Sequence, residues 1–308
     1  MSVIRIYEII AKKREGGALS KEEIEFAIDG YTNGHIPDFQ MSALLMAICI
    51  RGMTDEETAN LTMSMANSGE IIDLSPISGI KVDKHSTGGV GDKTTLIITP
   101  IVASCGVNVA KLSGRALGHT GGTIDKLESI TGYRTDISQD EFIELVKDIG
   151  VSVIGQSPHI APADKKIYSL RDQTATVESI PLIASSIMSK KIASGADAIV
   201  LDVKTGSGAF MKETDDATML AEKMVAIGRN IGRETIALVT DMNVPLGNAI
   251  GTSLEVIEAA EILKGHGDER LMDLCITISA NMLHLANMGN IDECHMMVKG
   301  SIATGAAF

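Results

Sequence analysis

Residues 81–95 place closely spaced glycines beside a lysine and small hydroxyl side chains, just after a predicted β-strand. Glycine at positive φ lets the backbone turn its N–H groups inward, and a helix that follows contributes the positive end of its dipole. Lys84 supplies a charge to this loop, and two hydroxyl groups supply further hydrogen bonds. The segment therefore predicts a cradle for phosphate.

A second segment of similar chemistry follows at residues 113–128, where a serine, an arginine and paired glycines precede Thr123. Two such loops can close on one anion, which makes phosphate binding a more specific prediction than either loop alone would allow. Two familiar phosphate motifs are excluded by spacing. Asp92 separates Gly91 from Lys93, whereas a P-loop requires Gly-Lys-Ser/Thr, and Thr94 stands where a dinucleotide fingerprint requires its third glycine.

The elements that position these loops are predicted from capping signals and hydrophobic periodicity. The capping boxes Ser20-x-x-Glu23 and Thr54-x-x-Glu57 indicate short helices up to about residue 70. From about residue 79, short β-branched runs alternate with helices, which is typical of a mainly parallel sheet. The runs are 80–82, 107–110, 151–154, 198–203 and 235–240.

Residues 162–194 are again predicted to be helical, and their composition resembles that of the N-terminal helices. We therefore predict an all-α domain from two chain segments, 1–70 and 162–194. A larger α/β domain with a mainly parallel sheet then consists of 75–158 and 196–308.

Composition limits the classes of partner. The chain has 308 residues, is 44% hydrophobic and carries a formal net charge of −13 at pH 7, with 3% aromatic residues and no tryptophan. This charge opposes the phosphate backbone of nucleic acid, so a small phosphate ion or ester is expected instead. Four widely spaced cysteines predict free thiols, and no apolar stretch reaches the length of a membrane span. We expect a cytoplasmic protein without nucleic-acid or membrane partners.

The sixteen residues SGRALGHTGGTIDKLE, from Ser113 to Glu128, resemble the signature of the thymidine and pyrimidine-nucleoside phosphorylases. The stretches 81–92, 161–172, 179–211 and 246–258 are similar to the same family, so the resemblance covers essentially the whole chain. It implies reversible phosphorolysis, in which inorganic phosphate attacks C1′ of a pyrimidine nucleoside and releases the base and a pentose 1-phosphate. It also implies phosphate as co-substrate and no organic cofactor.

The resemblance implies a set of phosphate contacts on the two loops. Lys111, next to the second loop, is more similar to the broad-specificity enzymes than to the thymidine-restricted ones, so both uridine and thymidine are expected as substrates. The residues that match the family's phosphate contacts are Lys84, Ser86, Thr95, Lys111, Ser113 and Thr123.

Binding of the leaving base is predicted for the helical domain. Ser186 and Lys190 are spaced i,i+4 and share a helix face, and Tyr168 and Arg171 are spaced i,i+3 on the preceding helix. Together with the resemblance, this spacing predicts that Arg171 and Lys190 act as catalytic cations on the pyrimidine carbonyl groups. His85, within the first loop, is the candidate general acid, with a charge partner for phosphate as the alternative role; His119 and His159 are weaker candidates.

Some members of the family bind potassium through backbone carbonyl groups and one carboxylate. The matching residues are Gly91, Lys93, Leu246, Ala249 and Glu258, with Lys93 expected to use its carbonyl oxygen. The family's habit and the apolar residues Ile4, Ile9 and Ile10 also predict a homodimer formed through the N-terminal helices.

Members of the family continue beyond the position of Phe308, so the α/β domain is expected to be incomplete at its C-terminus. Three alternatives remain open: a thymidine-restricted phosphorylase, an inactive phosphate-binding fragment, and a phosphoribosyltransferase. The third shares the architecture of anthranilate phosphoribosyltransferase. It would need magnesium and an acidic pair, for which Asp202 and Asp215-Asp216 are available.

Overall fold

The structure is a computed structural model that describes residues 4–115, 121–155 and 157–308. Its helices are α1 (Ile6–Arg14), α2 (Lys21–Thr32), α3 (Asp38–Arg51), α4 (Asp55–Ala66), α5 (Thr94–Ser104), α6 (Thr123–Glu128), α7 (Gln139–Ile149), α8 (Pro162–Gln173), α9 (Ile180–Ala193), α10 (Thr214–Asn230), α11 (Thr252–Leu263), α12 (Glu269–Leu285) and α13 (Ile291–Ala303). Its strands are β1 (Val82–Ser86), β2 (Val109–Ser113), β3 (Val151–Gly155), β4 (Ala198–Thr205) and β5 (Glu234–Asp241).

The first compact unit is helical and consists of Met1–Ile72, Ser157–Gly195 and Glu222–Arg233. The predicted segments 1–70 and 162–194 fall within it. Its third segment was expected in the α/β domain, and sequence gives no boundary there because residue 222 lies inside the continuous helix α10. The core of the unit is formed by apolar side chains of α1–α4, α8 and α9, among them Ile9, Met41 and Leu182.

Both predicted capping boxes are present in this unit. The Ser20 hydroxyl accepts a hydrogen bond from the backbone N–H of Glu23, whose carboxylate accepts one from the Ser20 N–H, and Thr54 and Glu57 form the same pair of bonds. Glu57 extends its box into the interior. Its carboxylate also accepts hydrogen bonds from the Leu19 N–H at 2.8 Å and from the buried ammonium of Lys13 at 2.6 Å. The start of α4 is thereby fastened to α1.

The second compact unit is α/β and consists of Asp73–Gln156, Ala196–Ala221 and Glu234–Phe308. Every strand pair among the described residues is parallel, as predicted, and the ladders form two groups, in the orders β1-β4-β5 and β2-β3. β1 and β2 start about two residues later than their apolar runs predict and continue to residues 86 and 113. The strands end later because buried charged residues, Asp83, Lys84 and Lys111, prolong each strand beyond its apolar part.

The core of the α/β unit includes apolar side chains of α5, α11, α12 and α13 together with the strands. Cys275 on α12 and Cys294 on α13 are buried, whereas Cys49 and Cys105 are half-buried, and all four are free thiols as predicted. Burial raises the pKa of the Cys275 thiol well above its ordinary value. Among the described residues, no helix combines the length and the apolar content needed to cross a bilayer.

Register brings the predicted phosphate loops to the carboxyl ends of their strands. Ser86 pairs with Asp202 at the end of β1, and Ser113 pairs with Gly155 at the end of β2. Ligands of parallel α/β sheets bind outside this edge. The fold therefore places both loops where an anion site is expected.

Candidate active site

Lys84 lies at the centre of a buried group of charges in the α/β unit. Its side chain is 1% exposed, and its Nζ donates to Thr94 Oγ1 at 2.6 Å and lies 3.4 Å from Asp202 Oδ2. Lys204 Nζ lies 2.8 Å from the same Asp202 oxygen. Burial alone would lower the pKa of Lys204, but the charges of Asp202 and Asp92 outweigh it and raise that pKa. The ammonium of Lys204 is thereby held in its charged form.

Asp92 and Lys204 both belong to this cluster without having been predicted as site residues, and in the sequence Asp92 only interrupts the P-loop spacing. The Asp92 carboxylate accepts hydrogen bonds from Ser86 Oγ at 2.5 Å and from Thr94 Oγ1 at 2.6 Å. Burial would raise the pKa of Asp92, but Lys84 and Lys204 hold it far below its ordinary value. Asp92 thus acts as an internal anion beside Lys84 and takes the hydroxyl that was predicted for phosphate.

The remaining predicted phosphate contacts are distributed around this cluster. Lys111 is buried, and its Nζ lies 3.1 Å from Asp83 Oδ1 and also donates to the carbonyl oxygen of Lys84, so it joins β2 to β1. Thr95 lies in the first turn of α5 and is buried, Ser113 ends β2, and Thr123 is the first residue of α6.

The second loop is held at its two ends by the charged residues of its signature. Arg115 donates to Asp125 Oδ1 at 3.0 Å and to both carboxylate oxygens of Glu128, at 2.7 and 2.9 Å. The hydrogen bond from Arg115 lowers the pKa of Glu128 to about 2. Residues 116–120, which include the weaker candidate His119, lie outside the described residues.

His85 is half-buried in β1, between Lys84 and Ser86. Successive side chains of a strand alternate between its two faces, so His85 lies on the face opposite to both neighbours. The sequence motif did not predict this separation. His159, the other weaker candidate, is exposed in the helical unit, where its carbonyl oxygen accepts from the Glu70 N–H.

The four predicted base contacts come together on α8 and α9 of the helical unit. Lys190 Nζ donates to Ser186 Oγ at 2.9 Å, as their i,i+4 spacing predicted, and Ser186 is buried. The guanidinium carbon of Arg171 lies 5.6 Å from the centre of the half-buried Tyr168 ring. These residues form one cluster within the unit.

Arg171 is more deeply buried than a residue whose only role is to contact a ligand. Its side chain is 1% exposed, and it donates to the carbonyl oxygens of Thr176, Val177 and Leu182 at 3.2, 2.6 and 3.1 Å. Burial lowers the pKa of the guanidinium from its ordinary value. Arg171 therefore organises the connection between α8 and α9 in addition to its predicted role.

Asp164 completes this cluster and was missed by the sequence analysis. It is 5% exposed, and its Oδ2 accepts from Lys190 Nζ at 2.5 Å, while its buried Oδ1 has no hydrogen-bond partner among the described residues. The signal was available, because Asp164, Tyr168 and Arg171 follow the i,i+4,i+7 spacing of one helix face.

The residues of the predicted potassium site also lie together, but the ammonium of Lys93 takes the place of the ion. Lys93 Nζ donates to the carbonyl oxygens of Leu246 and Ala249, both at 2.7 Å, and to Glu258 Oε2 at 2.5 Å. These are the oxygens that an alkali cation would need, and the Lys93 side chain is 0% exposed. With the Lys93 ammonium at this point, the residues present do not fit a potassium ion, and the contribution of the Lys93 carbonyl oxygen stays a prediction.

Comparison with known proteins gives matches along the whole chain. The family model described as the glycosyl transferase family, helical bundle domain, matches residues 7–69, and that of the a/b domain matches residues 78–308. A pyrimidine-nucleoside phosphorylase of Geobacillus stearothermophilus is 61% identical over 305 residues, which cover 99% of this chain and 70% of the relative. A pyrimidine-nucleoside phosphorylase of Staphylococcus epidermidis is 62% identical over the same length and the same shares of both chains.

A solved structure supports the fold independently of sequence. The anthranilate phosphoribosyltransferase of Thermus thermophilus superposes with a TM-score of 0.79, covering 97% of this chain and 95% of that one, at 18% sequence identity. At this identity the likeness concerns the fold alone, and it agrees with a helical domain and an α/β domain.

Proposed function

Because the chain belongs to the glycosyl transferase family with a helical bundle domain and an a/b domain, we propose that it catalyses the reversible phosphorolysis of pyrimidine nucleosides. The products are the free pyrimidine base and ribose or deoxyribose 1-phosphate, and the metabolic role is nucleoside salvage. The observation that carries the proposal is the identity of 61–62% over 305 residues with relatives named pyrimidine-nucleoside phosphorylase.

Phosphate is the co-substrate in this proposal, and Lys84 is its principal cation. The ammonium of Lys84 is buried and positioned by Thr94 and Asp202, so little reorganisation is needed when the anion arrives. Phosphate then takes the Ser86 hydroxyl from Asp92 and adds contacts from Thr95, Ser113 and Thr123. Lys111 acts from a distance, through Asp83 and the Lys84 backbone.

The base is received by the cluster on α8 and α9. An ammonium has three N–H donors, and two of those of Lys190 are directed to Asp164 and Ser186 within the described part of the chain. The third is available for a pyrimidine carbonyl group. The guanidinium of Arg171 likewise gives three of its five N–H groups to backbone carbonyl oxygens. As the glycosidic bond breaks, these two cations stabilise the negative charge that develops on the ring.

His85 is proposed as the general acid that protonates or hydrogen-bonds the departing base. Its position on the opposite face of β1 from Lys84 supports a division of labour, in which one side of the strand holds phosphate and the other meets the nucleoside. Activity on both uridine and thymidine is favoured over restriction to thymidine, since the relatives are named pyrimidine-nucleoside phosphorylases.

The chain is further proposed to work in the cytoplasm as a homodimer. Ile9 is 1% exposed and belongs to the helical core, so it does not contribute to a surface stripe with Ile4 and Ile10. α1 and α3 pack against each other and instead present other exposed apolar side chains, Tyr7 at 75%, Phe39 at 73% and Ile50 at 71%. A dimer would bury such residues, and sedimentation velocity of the wild type and of Phe39→Glu tests this.

The function is tested by incubating the protein with uridine or thymidine, with and without inorganic phosphate, and measuring free base by chromatography. We expect base release that requires phosphate and is accompanied by an equal amount of pentose 1-phosphate. Inosine is the control substrate and should remain intact. Base release at the same rate without phosphate would identify a hydrolase, and no release from either pyrimidine nucleoside would contradict the proposal.

A further inference from the structure

The ammonium of Lys93 has the surroundings of a bound cation rather than those of a surface charge. Its three N–H donors face three oxygen atoms, which belong to Leu246, Ala249 and Glu258 and lie 2.5–2.7 Å away. Two of these oxygens are backbone carbonyl groups with no charge of their own. The side chain of Lys93 is fully buried, so solvent does not share this coordination.

The three oxygens lie on segments that are far apart in sequence from Lys93. Leu246 and Ala249 belong to the connection between β5 and α11, and Glu258 lies on α11, whereas Lys93 directly precedes α5. The contact between these segments is close at Gly91, which has φ +73°, because a Cβ there would approach the Leu246 carbonyl oxygen to 2.7 Å. Lys93 therefore lies where the phosphate loop meets residues 246–249.

Backbone hydrogen bonds hold the carboxylate of Glu258 in a fixed position that suits a cation. The Glu258 carboxylate accepts hydrogen bonds from the backbone N–H groups of Asn248 at 2.7 Å and Ala249 at 3.0 Å. Together with the bond from Lys93, these bonds direct the carboxylate at one point, where the Lys93 ammonium lies.

We propose that Lys93 is a covalently attached replacement for a monovalent cation, which holds residues 246–249 and α11 against the phosphate loop. The chain therefore carries its own cation at this point, and its stability has no requirement for potassium. The proposal concerns the fold and stands whether or not the chain has phosphorylase activity.

A second buried ion pair, between Lys126 on α6 and Glu255 on α11, provides a control. Lys126 Nζ lies 2.7 Å from Glu255 Oε2 and donates to the Asp92 carbonyl oxygen at 2.5 Å. Glu255 lies one helical turn from Glu258 on α11. This ammonium has only one carboxylate and one carbonyl oxygen among its described acceptors. Loss of Lys126 should destabilise the same helix without leaving a coordination shell that suits an alkali cation.

The test compares thermal unfolding in potassium chloride and in tetramethylammonium chloride of equal concentration, since the organic cation is too large to enter the site. The wild type should have the same Tm in both salts. Lys93→Thr removes the ammonium and leaves space beside the three oxygens, so its Tm in tetramethylammonium should fall by about 5–10 °C. A saturable, potassium-specific recovery of most of that loss is expected.

Two control variants separate cation binding from general destabilisation. Lys93→Met fills the space with an uncharged chain, and Lys126→Thr breaks the neighbouring pair. Both should have a lowered Tm that potassium does not restore more than tetramethylammonium does. A potassium-specific rise in the wild-type Tm, or a folded Lys93→Thr protein that shows no such rise, would overturn the proposal.

Diffraction gives a readout that does not depend on stability. Crystals grown in rubidium chloride should show an anomalous peak between Leu246 O, Ala249 O and Glu258 in Lys93→Thr, and none there in the wild type. If Lys93→Thr does not fold in either salt, the presence or absence of a rubidium peak in the wild-type crystal tests the proposal. A rubidium peak at this point beside an intact Lys93 side chain would refute the replacement.

Discussion

Replacing Asp164 with asparagine should impair turnover although Asp164 belongs to no predicted contact with the substrate. Asp164 is 5% exposed and holds the Lys190 ammonium at 2.5 Å, while Ser186 accepts a second N–H at 2.9 Å. These two acceptors fix the direction of the third N–H, which we assign to the pyrimidine carbonyl group. Asparagine retains the volume and one acceptor oxygen but removes the charge that holds the ammonium.

The size of the effect follows from the change in the hydrogen bond. Hydrogen bonds that involve a charged group contribute about 1.5–3 kcal/mol, and we place the bond between two charged groups near the upper end of this range and the bond between the ammonium and a neutral amide near the lower end. The difference of about 1–1.5 kcal/mol, expressed in the transition state, corresponds to a loss of about 5- to 13-fold in kcat/KM for uridine. Lys190 is 25% exposed, so water partly compensates the change and the Tm should fall by only a few degrees.

The assay is steady-state phosphorolysis of uridine at saturating phosphate, followed by phosphate titration at saturating uridine. We expect a lower kcat/KM for uridine and an unchanged KM for phosphate in Asp164→Asn. Asp172→Asn is the matched control, because Asp172 is exposed on the same helix, and it should behave as the wild type. If folded Asp164→Asn matched the control in both titrations, Asp164 would not position Lys190.

Three further predictions concern the phosphate loop and the helical core. Lys84→Ala should raise the KM for phosphate by about 10- to 100-fold, because it removes a charged hydrogen bond; unchanged phosphate saturation would exclude Lys84 from the site. His85→Ala should lower kcat by about 10²-fold or more with little change in the KM for phosphate, and near-normal turnover across pH 5–8 would assign His85 a structural role. Glu57→Gln should lower the Tm at pH 7, where the Lys13 pair is intact. The Tm difference between the wild type and Glu57→Gln should become smaller below about pH 4.5, the ordinary pKa of glutamate. Burial raises the pKa of Glu57 but its hydrogen bonds lower it overall, so the stability that the charge contributes is present above that pH and is lost as the carboxylate is protonated. A Tm difference independent of pH would refute the role of the charge.

The fold was predictable because its signals are local. The capping boxes at Ser20 and Thr54 define helix starts by hydrogen bonds between residues three apart, and β-branched runs define the strands. The ends of β1 and β2 were not predictable in the same way. The strands continue through the charged residues Asp83, Lys84 and Lys111, which favour a strand here only because partners distant in sequence neutralise the charges.

The site was predictable where family resemblance or helical spacing connects the residues, as for Ser186 and Lys190. It was not predictable where one residue competes with a ligand for the same partners. Asp92 accepts a hydrogen bond from the Ser86 hydroxyl, and Lys93 donates hydrogen bonds to carbonyl oxygens of residues more than 150 positions away. Such substitutions of a side chain for an ion depend on distances that a motif does not encode.

The buried thiol of Cys275 can report the opening of the α/β core through its rate of alkylation. Because burial raises its pKa and excludes solvent, an alkylating reagent should modify Cys275 only when the core opens, after the half-buried Cys49 and Cys105 have reacted. A bound anion that stabilises the closed core must slow this labelling in proportion to its occupancy. The rate of labelling at Cys275 therefore measures phosphate affinity in the absence of any nucleoside, including in variants that have lost turnover.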